Sequence, residues 1–545
     1  MTKHVISILC CAVLLMSVFL SGCQVQNSQA NSGSFAGLSI SAADCSYGGE
    51  IRSVAATDQN TVVFTLCRPD AAFLAKIAHP IFAVQDRETL NQAGGSSKAL
   101  SDSINGEGAF RLKSYTPGKE AVLVPSTSYW GLPPKPQTIT LRWVNDPITR
   151  YHEFQNNNGD VLIDPPSGLI MIIRESEGLN EISKIGLNTI FLGINNKVQP
   201  FDNVKVRQAL AQIVNRQYIA SNYLVQGSET ADQLIPSRIS PGYSDSIPWY
   251  STDSNAAKAL LQEAGFDFNQ RLTLAYPSQG VPGVDTTSVI AQELKSELAS
   301  IGVTLDLKRL SEAELRSAIA AGSEQLYLSW LAADYPDGLA FYEKAFIHGA
   351  DTVGGYYPEL VAAVRELQAV TSAGGRQLVF DKANQMVKDL VPFIPLGHSL
   401  TSVFVRNTVS NLSTNGLFQN YASASVQSGE ILVYLGDEPK SFWPADETDA
   451  STFTLTRLLY DTLAAPSMDG KSFDPLLAES WESNQDLTQW TFHLRYDVRF
   501  SNSARFDAND VVASFSAIWD RSDPNHKGRT GEFSVFQDLF GHFIN

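Results

Sequence analysis

Cysteine, histidine and methionine are all scarce in this chain of 545 residues, at five, eight and five copies. The histidines stand singly and no Cys/His grouping has metal-site spacing, so neither a metal nor a cofactor is expected. Basic side chains are short too: 40 Lys and Arg face 57 Asp and Glu, a net charge of −17. That balance excludes the positive footprint that nucleic acid or an anionic membrane surface would require. The common catalytic signatures are missing: there is no His-Glu-x-x-His, no phosphate loop ending in Gly-Lys-Ser/Thr, and no Gly-x-Ser-x-Gly elbow. Asp507 and Asp510 could be drafted as an acid/base pair, but a spacing of three at a helix start reads more simply as an N-terminal cap.

Long apolar runs are missing but for one. Lys3 precedes an apolar stretch from Val5 to Leu20, broken only by Ser7 and Ser17, and Leu20-Ser21-Gly22-Cys23 closes it with small residues before a cysteine. The stretch falls below the ~20 residues of a membrane span. It reads as a lipoprotein signal peptide over residues 1–22, with Cys23 lipidated and residues 23–34 a polar tether; a short transmembrane anchor is the alternative. Cys10 and Cys11 leave with the signal, so Cys45 and Cys67 remain. An exported compartment permits a disulfide between them, and two unpaired thiols are the other reading.

Apolar residues make up 43% of the chain and charged ones 18%, the composition of a soluble globular protein, and the length calls for several lobes. Ile51–Val54 and Thr61–Leu66 alternate like a hairpin around Asp58-Gln59-Asn60. Helical spacing appears over 203–216, over 255–264 with Ser254 as N-cap and Gly265 after its end, over 287–301, and again over 358–370 and 376–390. Helices alternate with strands such as Val303–Leu307 and Gln325–Leu328, which predicts an α/β lobe with a largely parallel sheet. The segment 422–428 is mostly small and polar, the chemistry of a linker.

Several stretches carry a resemblance. They are Arg68-Pro69-Asp70-Ala71-Ala72-Phe73 with His79-Pro80, Gly106-Glu107-Gly108-Ala109-Phe110, Ser128-Tyr129-Trp130-Gly131, and Phe201-Asp202-Asn203-Val204-Lys205-Val206-Arg207-Gln208-Ala209-Leu210. To these are added Gly429–Tyr434, Leu477-Ala478-Glu479-Ser480-Trp481, Thr491–Arg495 and Phe506–Val512. Together they resemble the bacterial peptide-type (family 5) solute-binding proteins, the dipeptide- and oligopeptide-binding receptors of ABC importers. In that family the last block follows the signal peptide directly; here it closes the chain, so the order looks circularly permuted. The pattern at Asn545 would continue at Gly33, and the two ends are expected to meet.

The resemblance implies an α/β, two-lobed periplasmic-binding-protein-like (type II) fold with a hinge. Lobe I would take residues 35–195, 401–428 (its return and the linker joining the old termini) and 429–545; lobe II would take 196–400. It also implies a ligand site at Ser329-Trp330-Leu331-Ala332-Ala333-Asp334-Tyr335. Asp334 falls near a strand's carboxyl end, where open α/β sheets place ligands, and the matching Asp in relatives pairs with a peptide's α-ammonium. Trp330, Ala333 and Tyr335 would line the same pocket. Read without the resemblance, Asp334 caps a turn and Trp330 fills core equally well.

The chain departs from the family in spacing the Trp and Asp by three residues rather than two. It also lacks an Arg in Ala275–Gly280, where dipeptide-binding relatives hold the ligand carboxylate. Trp443, Ser503 and Arg505 are further departures. The partners implied are a peptide or other small solute and a membrane permease, with the receptor a monomer moored to the outer face of the cell membrane. An exported hydrolase, a receptor of this fold for a non-peptide solute, and a structural or sensory lipoprotein are the competing readings.

Overall fold

Alternation of side chains builds the first sheet. Along Thr61–Leu66 every second residue is buried, and Val62, Phe64 and Leu66 turn one face inward as a period of two requires. This strand pairs antiparallel with Ile51–Asp58 and with Gln489–Leu494, far along the chain. The resulting five-stranded sheet runs Ser39–Ser41, Ile51–Asp58, Thr61–Leu66, Gln489–Leu494, Ala478–Ser483. The computed structural model describes residues 35–347, 353, 355–468, 470 and 472–545. The apolar leader, Cys23, the tether and Gly33 lie outside the described residues.

A seven-stranded sheet again interleaves distant parts of the sequence. Glu430–Leu435 sits between Thr138–Trp143 and Val161–Ile163, parallel to both. Ile431, Val433, Tyr434 and Leu435 are buried there, and each large apolar side chain contributes about 1.5–3 kcal/mol. Val403–Arg406 and Leu179–Glu181 extend one edge, Glu120–Pro125 and Phe110–Thr116 the other. The segment 422–428 is packed rather than loose: Ala424 is buried, the Ala422 carbonyl accepts from the Lys135 N–H at 3.0 Å, and Ser425 bridges to Ser410. Small residues serve close approach here.

The six-stranded sheet runs Glu229–Thr230, Phe393–His398, Asn188–Ile194, Leu326–Ala332, Arg271–Pro277, Thr304–Leu310. The expectation of a largely parallel sheet is corrected. Only the strands linked through the helices Thr287–Ser300 and Glu312–Ala320 are parallel, as such crossovers demand; Asn188–Ile194 is antiparallel to both its neighbours. Asn188–Ile194, which precedes the boundary expected at 195/196, is a wholly buried central strand of this sheet. The crossings between the sheets fall at Lys184–Ile185 and Leu400–Thr401, which pair as a two-stranded ribbon.

Local signals shift by smaller amounts. Asp253, not Ser254, caps the helix Ser254–Glu263, accepting from the N–H groups of Asn255 and Ala256. The helix expected over 203–216 ends at Ile213, and a second one, Arg216–Tyr223, follows it; Asn203 caps the first and Asn215 the second. Asp507 and Asp510 form a reciprocal capping box on the helix Ala508–Trp519, so their chemistry is that of a helix start. Cys45 and Cys67 are joined by a disulfide. It ties the short turn at 45–47 to the end of the strand Thr61–Leu66.

Candidate functional site

The strand Leu326–Ala332 ends at the site. Ala333 donates its N–H to the Leu187 carbonyl at 2.8 Å, Asp334 follows, and Asp337 then caps the helix Gly338–Phe346 by accepting from the Leu339 N–H at 2.8 Å. The short link between two fixed ends holds Asp334 against a cavity of about 600 Å³. Trp330, Asp334, Lys344, Glu312 and Arg316 line it from the six-stranded sheet and its helices. His79, Phe453, Val535 and Asp538 line it from segments packed with the other two sheets. The cavity therefore lies between the two halves that the paired ribbon joins, and its volume suits a small organic ligand.

Asp334 is not bare. The Lys344 ammonium donates to both of its carboxylate oxygens, at 2.9 and 3.0 Å. Burial works against the Lys344 charge, yet Asp334 and Asp538 hold its pKa above the ordinary lysine range. A carboxylate offers about four lone-pair directions, so this pair leaves acceptor capacity for a further donor. Arg316 and Glu312 form a second ion pair on the wall. His79 faces the same space: burial pushes its pKa down to about 4, Asp334 pulls it up, and the Lys344 and Arg457 cations press it down again. Its Nδ1 accepts from the Ile81 N–H at 3.3 Å, leaving Nε2 to carry the ring proton. Phe453 packs edge-on against the ring at 5.1 Å.

Of the four residues expected at the ligand, Trp330 and Asp334 line the cavity; Ala333 and Tyr335 do not. Ala333 is buried in the turn. Tyr335 points the other way, donating to Glu343 Oε2 at 2.6 Å. There Lys76, fully buried, is held by Glu343, Glu50 and Asp70 at 3.0, 3.0 and 2.9 Å, and Gln368 donates to Glu343 at 2.6 Å. Burial pushes the Glu343 carboxyl up to about 7 against the opposing pull of Lys76, with Glu50 and Asp70 adding to the rise. Sequence reasoning assigned no role to Lys344, His79 or Phe453. Lys344 lies on the helix that follows Asp334, and only the folded turn brings the two together.

Two halves joined by a double-stranded ribbon, with a polar cavity between them, define a solute receptor of the two-lobed α/β class. The family model for bacterial extracellular solute-binding proteins, family 5 Middle, matches residues 25–352 and 472–536, and the chain belongs to that family. It is 27% identical over 379 residues to the dipeptide-binding protein of Escherichia coli K12, covering 68% of this chain and 70% of that protein. Among solved structures it resembles HbpA2 from Haemophilus parasuis, with a TM-score of 0.63 and 22% identity over 69% of this chain and 76% of that one. It also resembles DppA from Helicobacter pylori in complex with the peptide STSA, at a TM-score of 0.55 and 18% identity, covering 70% and 73%. No helix among the described residues is long and apolar enough to cross a membrane.

Proposed function

We propose that this chain is the lipid-anchored receptor of an ABC importer, which takes a peptide between its two lobes and delivers it to the membrane permease. Lobe I would comprise the five- and seven-stranded sheets, about residues 35–183 and 402–545, and lobe II the six-stranded sheet with its helices. The observation that carries the reading is Asp334: a carboxylate on the cavity wall, already facing one ammonium and with lone pairs to spare for a ligand's α-ammonium. Such a charge-assisted bond orients the ligand, and its loss leaves an uncompensated charge. The dipeptide-binding protein among the relatives supports the same ligand class. A ligand touching both walls stabilises the closed state over an open one, which is how binding would license delivery.

We further infer that the chain is a circular permutation of the family order. The strand Glu430–Leu435 lies inside the seven-stranded sheet, and the Phe540 carbonyl accepts from the Glu50 N–H at 2.8 Å. Both features suit a lobe cut once and rejoined.

Calorimetry of the purified chain against peptide mixtures tests the ligand class. Asp334→Asn is expected to weaken free-amine peptides about ten- to a hundred-fold while sparing N-acetylated ones. Equal loss for both, or a clear response to another solute class with none to peptides, overturns the reading.

A further inference from the structure

One side chain on the cavity wall is buried and still holds an unused donor. His79 is 9% exposed and lines the cavity from the chain that follows the helix Phe73–Ile77. Pro80, next in sequence, disfavours the helical region for the residue before it, and His79 is extended, at φ −67° and ψ 139°. From there its Nδ1 accepts from the Ile81 N–H at 3.3 Å and caps the short turn Pro80–Phe82. That bond sets the tautomer, with the ring proton on Nε2. No hydrogen bond from this Nε2 is made among the described residues. Unlike Nε2 of the wholly buried His398, it is not sealed in the core, and the space it opens on is the cavity.

The ring is a neutral donor in a fixed place. Burial lowers its pKa to about 4; the pull of Asp334 opposes this, and the Lys344 and Arg457 cations reinforce it. Phe453 stands edge-on against the ring at 5.1 Å between centroids, which restricts its rotation. A buried N–H without an acceptor forfeits the hydrogen bond it made to water. Asp334 does not fill that role: it acts on the ring through space, while both of its oxygens accept from Lys344. Asp334 and His79 thus face the cavity from its two sides, with room for a ligand between them. In a peptide whose α-ammonium meets Asp334, the nearest acceptor is the carbonyl oxygen of the same residue, about 3 Å from the nitrogen by covalent geometry.

We propose that His79 is a ligand-binding residue whose Nε2–H donates to the carbonyl oxygen of the bound peptide's first residue, from the wall opposite Asp334. The assignment rests on the peptide reading above. It fixes the first residue at two points, one on each half of the protein, so that the N-terminal end of the ligand spans the gap. A neutral donor suits a neutral acceptor, and it adds no charge beside Lys344.

The test uses the full mature chain and alanine peptides of three and five residues, each also with sulfur in place of oxygen at the first or at the second peptide bond. A thioamide sulfur accepts a hydrogen bond more weakly than the oxygen does. In titration calorimetry the first-bond thioamide is expected to bind the parent about three- to tenfold more weakly than the plain peptide, and the second-bond form within about twofold of it. His79→Phe keeps a ring against Phe453 but has no donor. In it the plain peptide should lose the same factor and the first-bond thioamide nothing further, so that the gap closes. His79→Gln, which returns an N–H near the place of Nε2, should restore most of the gap. A gap that survives in His79→Phe, a gap that stays closed in His79→Gln, a parent without any gap, or an equal loss for both thioamides overturns the assignment and leaves the peptide reading standing. A parent that binds none of these peptides overturns both. If His79→Phe does not fold, His79→Met, also without a donor, carries the same expectation and the same refutation.

Discussion

At the scale of single residues, the buried lysine is the most consequential group outside the cavity. Lys76 meets three carboxylates, Glu50, Asp70 and Glu343, with Arg68 at 3.3 Å and Arg365 at 3.8 Å from Glu50 on the outside. Removing one partner of a buried ion pair costs about 3–5 kcal/mol because the remaining charge is stranded. Lys76→Met is expected to cost that much at pH 8 in urea unfolding. The Glu343 pKa, raised to about 7 in the fold, lies above its ordinary value, so the folded state holds a proton that the unfolded chain has released. Stability from this group is therefore present on the acid side and lost as pH rises through about 7. The variant's loss should shrink at pH 5, where the stranded carboxyls take up protons, and an equal loss at both pH values would refute this account. None of the four residues signals the network in sequence; each would be read as a surface charge.

At the scale of elements, a helix and a strand tie the cavity to the core. Glu343 and Lys344 are neighbours on Gly338–Phe346, one facing Lys76 and the other Asp334, so this helix links the cavity wall to the buried charges. Behind it, Gly193 on the central strand Asn188–Ile194 pairs with Tyr327, whose ring atoms lie 2.0 and 2.2 Å from where a Cβ on Gly193 would stand. Gly193→Ala should therefore displace that ring and cost about 1–3 kcal/mol, measured as a lowered urea midpoint at unchanged m-value. An unchanged midpoint would show that the ring moves freely. The existence of these elements was legible: the stripe Ile290, Leu294 and Leu298 is buried as its spacing predicts, and the Gly265 φ of +69° fits the left-handed turn after Ser254–Glu263. The pairing was not. A run such as Asn188–Ile194, buried on both faces, carries no alternation from which sheet or direction can be read.

At the scale of the molecule, segments far apart in the sequence, 64–82 and 492–540, share one core. Phe64, Phe73 and Phe82 pack with Phe492, Phe515, Phe536 and Phe540, with ring centroids as close as 4.9 Å, so neither block holds that core alone. A rearranged chain tests the permutation: residues 429–545 placed first, a linker, then residues 37–428. Leu38 bonds to Asn509 and Ile544 to Trp519 and Arg521, near opposite ends of the helix Ala508–Trp519. The gap is about 15 Å by helical rise, which roughly five or six extended residues span. The rearranged chain should melt within a few degrees of the parent and keep its ligand response; failure to fold would show that the present order is needed.

The sequence by itself determined which segments are strands and helices, the capping at Asp507, and the kinship that points to Asp334, because local periodicity and short motifs are written in neighbouring residues. Only the tertiary structure decided that Lys344 pairs with Asp334, that Tyr335 turns away from the cavity, and that His79 and Phe453 face it. These depend on which surfaces meet when distant strands close a sheet, and burial and Coulomb forces act on distances through space that no spacing along the chain records.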